Sequence, residues 1–371
     1  PIPVRFAMMD RYTALRQTAL YLGVDAIAVV PGPNFERLYN KSFHTNERPL
    51  VIVVPVEGPP AAIVPNLELK SFEAIEFEGA VFDWRDQVGY GGAFEAMAAE
   101  FPLERLAVEG QEMRVFVHHA LASAYPGLEI VDAEHEISAL RLLKTPEEVS
   151  ILESAIRISE SALAETLLQV RIGQTEREVE SLLTMALFRN GAEAHAFGPI
   201  VAAGDNSAKP HAHARADYAI RPGDTLLFDF GAKLDGLNAD ITRTFFVGHA
   251  PDEAAAAYET VLAANLRGHE VSRAGATAHD VDDACTSVLE ASQFAEFIRT
   301  KTGHGLGRAV HEAPQIMRGN HQKLESGMVF TIEPGLYRAG SYGVRIEDDV
   351  LVTETGCRSL TTYPKDLTVV G

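Results

Sequence analysis

The sequence predicts an α+β chain of two domains: a smaller N-terminal α/β domain over residues 1–140 and a larger C-terminal domain over residues 141–371. Three observations predict it. The chain has 371 residues, and a domain usually takes about 100–200. In the first part, short apolar runs alternate with helical patterns, as in α/β layers. In the second, long capped helices flank strand-like segments, in two halves of similar size.

Residues 26–30, 51–54 and 61–64 are unbroken apolar runs and read as buried strands. Residues 11–22 and 93–100 carry helical spacing, and His118 and His119 sit in a further helix. Arg105–Val108 and residues 128–131 read as two more strands. Gly89 and Gly91 open a G-x-G, but Phe94 stands at the third glycine position, so no phosphate-cradling loop is present. The domain boundary falls near residues 138–145. Thr145, Pro146 and Glu148 then form a capping box with proline at the first helical position, starting a helix to about residue 170. Thr175 and Glu178 start a second helix, which Gly191 can end. Residues 252–273 form a third, and Thr277 with Asp280 caps a fourth. Thr225–Phe230 and Ile241–Val247 read as a hairpin about residues 231–239, and 328–332 and 344–353 as two later strands.

Composition narrows the function classes. With 46% hydrophobic and 23% charged residues, the chain is ordinarily globular and long enough to bury large cores without disulfides. Cys285 and Cys357 are the only cysteines, far apart in sequence, which fits a reducing, cytoplasmic setting. The formal charge of −20 disfavours nucleic acid, which needs clustered Lys and Arg. The opening segment, residues 1–6, lacks the apolar stretch of a signal peptide, and no run approaches the roughly 18 apolar residues of a membrane span. From the start at Pro1 the expectation is that the initiator methionine is absent or was trimmed.

Five side chains of the second part stand out: Asp229 in LFDFG, Asp240 in NADITRT, His304 in GHGLG, Glu333 in TIEPG and Glu347 in GVRIED. Each acid sits in or beside an apolar strand, where an unpartnered carboxylate is costly. A hairpin between Asp229 and Asp240 brings both to one end. Four carboxylates and one imidazole make a hard, oxygen-rich donor set suited to manganese, magnesium or cobalt. So many anions together call for two divalent ions, typically about 3.5–4 Å apart. Taken singly, each residue has a plainer reading. Asp229 and Asp240 fit turns, His304 a glycine-rich loop, Glu333 a strand end, and Glu347, Asp348 and Asp349 a solvated acidic tip. His195, His249, His269 and His279 read as structural or exposed.

Together, in this order and in the contexts FDFGAKLDGLNADITRTF, GHGLGRAVHEAP, TIEPGLY and GVRIEDDVLVT, the set resembles the pita-bread metallopeptidases, above all prolidase and aminopeptidase P. The resemblance runs over about residues 147–355, and the preceding part looks like the extra creatinase-like domain of that branch. It implies that Asp229 chelates one ion, that Asp240 and Glu347 bridge two, and that His304 and Glu333 complete the other's shell. It implies manganese, with cobalt or zinc as alternatives, a metal-activated hydroxide as nucleophile, and Glu333 as proton shuttle to the leaving nitrogen. His311 would hydrogen-bond the scissile carbonyl. His211 would contact substrate at the cut. The stretch to Asp229 carries one residue more than is usual, so His213 is the alternative. Arg345 would bind a substrate carboxylate or order the site, with a plain salt bridge as the other reading. The expected reaction is hydrolysis of the Xaa-Pro bond in dipeptides or at the N-terminus of short peptides, by a homodimer. A creatinase-like amidinohydrolase and a non-catalytic binding protein are the alternatives, and the intact ligand set argues against both.

Overall fold

A computed structural model describes residues 11–44 and 46–371 of the chain. Residues 1–6, read above for a missing signal sequence, lie outside the described residues. The chain divides into two compact units after Arg141.

The first unit runs α1 (Thr13–Leu22), β1 (Ala26–Val29), α2 (Pro33–Tyr39), β2 (Val51–Pro55), β3 (Ala61–Pro65), α3 (Leu69–Glu73), β4 (Ala80–Trp84), α4 (Gly91–Glu100), β5 (Arg105–Val108), α5 (Val115–Ala124), β6 (Glu129–Asp132) and α6 (Glu134–Ser138). Its strands form one mixed sheet in the order β4-β3-β2-β1-β5-β6. The apolar runs are continuous because both faces of the sheet are covered. Alternate residues serve opposite faces. Ile27, Val29, Ile52 and Val54 pack with Leu15 and Ala19 of α1, while Ala28, Val51 and Val53 pack with Phe94 and Met97 of α4 and Leu121 of α5. β4 escaped the sequence reading because it is an edge strand whose residues alternate in exposure, with Asp83 among them.

The second unit begins with α7 (Pro146–Leu167) and α8 (Glu176–Arg189). Both capping boxes form: Thr145 Oγ1 accepts from the Glu148 amide and Thr175 Oγ1 from the Glu178 amide, each at 3.2 Å. Such a cap is worth about 1 kcal/mol. There follow β7 (Ala194–His195), β8 (Ile200–Ala203), β9 (Thr225–Phe230), β10 (Ala232–Leu234), β11 (Leu237–Asn238) and β12 (Ile241–Val247). Then come α9 (Asp252–Val271) and α10 (Ala278–Glu290), the latter capped by Thr277 and Asp280. The chain ends through β13 (Gly303–Gly305), β14 (Glu312–Ile316), β15 (Val329–Ile332), β16 (Gly335–Arg338), β17 (Tyr342–Arg345), β18 (Asp348–Val352), β19 (Cys357–Ser359) and β20 (Val369–Val370). One sheet has the order β20-β12-β9-β8 and another β14-β13-β15-β18-β19. Helices α7 and α8 pack with the first and α9 and α10 with the second, giving two similar halves.

Two expectations need correction. The strand expected over 344–353 is broken at Ile346 and Glu347 into β17 and β18, which belong to different sheets. The backbone of Glu347 bonds to β12 instead: its N–H donates to Thr242 O at 3.1 Å, and its carbonyl accepts from Arg243. The loop at 231–239 is itself a ribbon, β10 paired with β11. Asp235 and Gly236 turn it with φ of 47° and 77°, the left-handed pair of a two-residue Asp-Gly hairpin. Gly231 must be glycine there, since a Cβ would fall 1.6 Å from Ala239 O.

Candidate active site

The hairpin register sets the first two acids. Asp229 pairs with Thr242 and Phe230 with Ile241, so Asp240 lies one step beyond β12 at the same hairpin end. His304 is the middle residue of β13, Glu333 follows β15, and Glu347 occupies the break between β17 and β18. All five line one cavity of about 610 Å³, together with His211, His311, Arg345, Lys301 and Gln315. Ligating atoms of Asp240, His304 and Glu347 lie within 4.8 Å of one another. His304 Nε2 stands 3.2 Å from Glu333 Oε1 and 3.7 Å from Asp240 Oδ2.

The electrostatics of this cluster are those of a cation site. His304 Nδ1 faces the Gly305 carbonyl at 3.1 Å. A carbonyl only accepts, so Nδ1 carries the proton and the Nε2 lone pair is turned towards carboxylate oxygens. Asp229 Oδ1 and Asp240 Oδ1 are buried without a hydrogen-bond partner. Burial pushes Asp229 up, and burial with the charge of neighbouring acids pushes Asp240 and Glu347 well above the carboxylate range. Burial also raises Glu333, but His304, Arg345 and the Thr331 hydroxyl together outweigh it and leave its carboxyl below the ordinary value. A lone pair and orphaned carboxylate oxygens converging in a buried cavity fit divalent ions bound by hard donors. Bound there, such ions would activate water and polarise a carbonyl.

The supporting residues were mostly not singled out from sequence. Thr242 Oγ1 donates to Glu347 Oε2 at 2.5 Å. Asp349 Oδ2 accepts the Asp240 amide at 3.1 Å. Asp348 and Asp349 are fully buried, which removes the solvated-tip reading. Asp348 takes Arg243 at 2.8 Å, Lys365 at 2.7 Å and His269 at 2.9 Å. Arg243, the His269 hydrogen bond and Lys365 together outweigh the raising effect of burial and hold its carboxyl far below the usual range. The signal was present: Arg243 lies in a strand otherwise apolar or Thr, and a buried guanidinium demands a carboxylate. Arg345 is 3% exposed. It donates from Nε to Thr242 Oγ1 at 3.0 Å, from one terminal nitrogen to the Tyr337 hydroxyl at 2.9 Å, and from the other to Asp229.

His311 lines the cavity with its ring centroid 4.2 Å from that of His304. Burial lowers its pKa below the ordinary imidazole value, which favours the neutral ring at pH 7. His211 lines the cavity. His213 does not. The two do not share a strand face, because residues 211–213 are irregular. His195 instead packs its ring on Phe188, at 5.0 Å.

A pita-bread pair of half-domains around a buried acid-and-histidine cluster defines a metal-dependent hydrolase. This chain belongs to metallopeptidase family M24, whose model matches residues 150–354, and a creatinase/prolidase N-terminal domain matches residues 11–143. It is 31% identical to an Xaa-Pro dipeptidase of Lactobacillus helveticus over 89% of this chain and 90% of that one. Among solved structures it is similar to the prolidase from Thermococcus sibiricus, with TM-score 0.91 and 33% identity over 98% of this chain and all of the other. An X-Pro aminopeptidase from Thermotoga maritima matches with TM-score 0.85 and 31% identity over 98% and 100%. The protein is a metallopeptidase with an α+β, pita-bread catalytic fold. Among the described residues, no helix is long and apolar enough to cross a membrane.

Proposed function

We propose that this protein is a cytoplasmic, homodimeric Xaa-Pro dipeptidase whose Asp229, Asp240, His304, Glu333 and Glu347 hold two divalent ions, manganese before cobalt or zinc. The observation that carries this reading is the buried His304 Nε2 set among carboxylates, with Asp229 Oδ1 and Asp240 Oδ1 orphaned beside it. The named relatives are the support for proline at the cut. In this reading the carboxylates and His304 supply the ion site, and the chain's own groups act around it. Neutral His311 donates an N–H to the scissile carbonyl oxygen as it gains charge. Glu333 takes a proton from the attacking water and passes it to the proline nitrogen. That nitrogen has no hydrogen of its own in the peptide and must gain one to leave. Arg345 orients Asp229, and His211 borders the substrate at the cut.

The test is cleavage of Ala-Pro, Ala-Pro-Ala and Ala-Ala with manganese, beside a chelated control. Chelator-sensitive cleavage of Ala-Pro alone supports the dipeptidase. Release of alanine from Ala-Pro-Ala moves the assignment to aminopeptidase P, the activity named for the Thermotoga maritima structure. Cleavage of none of the three removes the peptidase reading.

A further inference from the structure

A dipeptide ending in proline carries a carboxylate one residue beyond the bond to be cut, roughly 4 Å away. A cavity lined by Asp229, Asp240, Glu333 and Glu347 repels that charge unless a cation stands at that end. Among the described residues lining it, the basic side chains other than histidines are Arg345 and Lys301. Each nitrogen of Arg345 is directed at a protein partner, namely Thr242, Tyr337 or Asp229. Lys301 differs: it is exposed, two residues before β13, and its ammonium donates to Gln315 Oε1. Gln315 pairs with His304 across the β13–β14 ladder, so the two side chains share a face, about 5 Å apart at Cβ. The Lys301 charge acts on both Glu333 and His311. An ammonium has three N–H donors, and with one given to Gln315 it has others for a carboxylate.

We propose that Lys301, held by Gln315, binds the C-terminal carboxylate of the substrate and so makes dipeptides preferred over longer peptides. The proposal rests on the Xaa-Pro reading above. In a longer peptide the same position carries a neutral amide, which offers the ammonium far less. Lys301 is a binding residue and takes no part in bond breaking.

The manganese-loaded enzyme is assayed on Ala-Pro and on Ala-Pro-amide, as wild type, Lys301→Gln and Lys301→Arg. A charged hydrogen bond corresponds to about a 10- to 100-fold effect. KM for Ala-Pro is expected to rise by that factor in Lys301→Gln, with a far smaller change for the amide and for kcat on either substrate. Lys301→Arg keeps most of the wild-type preference. Calorimetric binding of L-proline and L-prolinamide gives a readout without turnover: Lys301→Gln weakens proline and spares prolinamide. Equal changes on the charged and neutral members of each pair, or no change on either, overturn the role of Lys301 while leaving the peptidase reading in place. Wild-type enzyme that cleaves neither substrate overturns that reading and this one with it.

Discussion

Lys144 and Glu312 form an ion pair with both side chains 3% exposed, and Lys144→Met is the perturbation that shows what it does. The pair lies beneath the segment that carries His311. Glu312 follows His311 directly, and its second oxygen accepts from the Ala309 amide at 3.4 Å. Gly307 lies so close that a Cβ would come 2.5 Å from Glu312 Oε1 and 2.8 Å from Lys144 Cε. Asn238 fastens the same segment from the other side, donating to the Gly307 and Arg308 carbonyls at 2.9 and 3.0 Å. Removing Lys144 leaves the Glu312 charge buried, which costs about 3–5 kcal/mol. For a unit of this size each kcal/mol shifts Tm by about 2–4 °C, so Tm should fall by roughly 6–20 °C in calorimetry. Lys144→Met with Glu312→Leu removes both charges and should recover most of that loss, because desolvation largely cancels the attraction of a buried pair. A double variant destabilised by the sum of the two singles would refute coupling between these groups. KM and kcat of the double variant then separate stability from the placing of His311: kcat falls with KM little moved if the pair positions that ring.

Asp240→Ala removes a donor from the centre of the cluster, so bound manganese measured by elemental analysis and activity should vanish together; full metal content in the inactive variant would take Asp240 out of the ion site. His311→Ala should keep the metal and lose about 10²–10³ in kcat, and turnover at the wild-type rate removes His311 from the reaction. In the N-terminal unit, burial raises Glu109 to about 7 from 4.5, against the Asn34 hydrogen bond and the charge of Arg141, with Glu134 and Glu112 adding to the rise. A raised carboxyl pKa means the folded state binds more protons, so stability present below about pH 4.5 is lost as pH rises through about 7. At about 1.4 kcal/mol per pH unit the loss reaches about 3 kcal/mol. The only tryptophan, Trp84, is buried in this unit, so its fluorescence in urea reports this unit alone. Glu109→Gln should flatten the fall in midpoint between pH 5 and 8, and an unaltered slope would reject Glu109 as its source.

What the sequence disclosed follows from how each feature is encoded. Capping boxes at Thr145, Thr175 and Thr277 are local, four-residue signals, and all three form. The Thr225–Phe230 and Ile241–Val247 strands carry their own apolar patterns, and the five candidate ligands stand in distinctive local contexts. The Asp235-Gly236 turn was also local, and its two-residue loop was there to be read. Other features are encoded by pairs distant in sequence. Nothing near Lys144 announces Glu312, and nothing near Thr242 announces Glu347. The break at Ile346 and Glu347 was hidden because its cause is a bond to β12 rather than a glycine or proline in the run.

That break is also what makes the cluster possible. A continuous strand over 344–353 would turn successive side chains to opposite faces and commit the Glu347 amide to its own ladder. Instead the amide and carbonyl of Glu347 are bonded by Thr242 and Arg243, while its carboxylate takes the Thr242 hydroxyl. The same short segment of β12 thus fixes Glu347 by backbone and side chain, and its neighbour Asp240 by chain continuity. Arg243 is in turn neutralised by Asp348, which is why the residue after Glu347 is an acid buried among cations. Two opposite charge balances stand one residue apart: Asp348 is matched by Arg243 and Lys365, while Glu347 and Asp240 are left short of positive charge. The protein spends its own cations on the scaffold and leaves the deficit at the cavity. A divalent ion would meet that deficit, so its binding should raise the stability of the second unit, and chelation should lower it, in step with ion concentration.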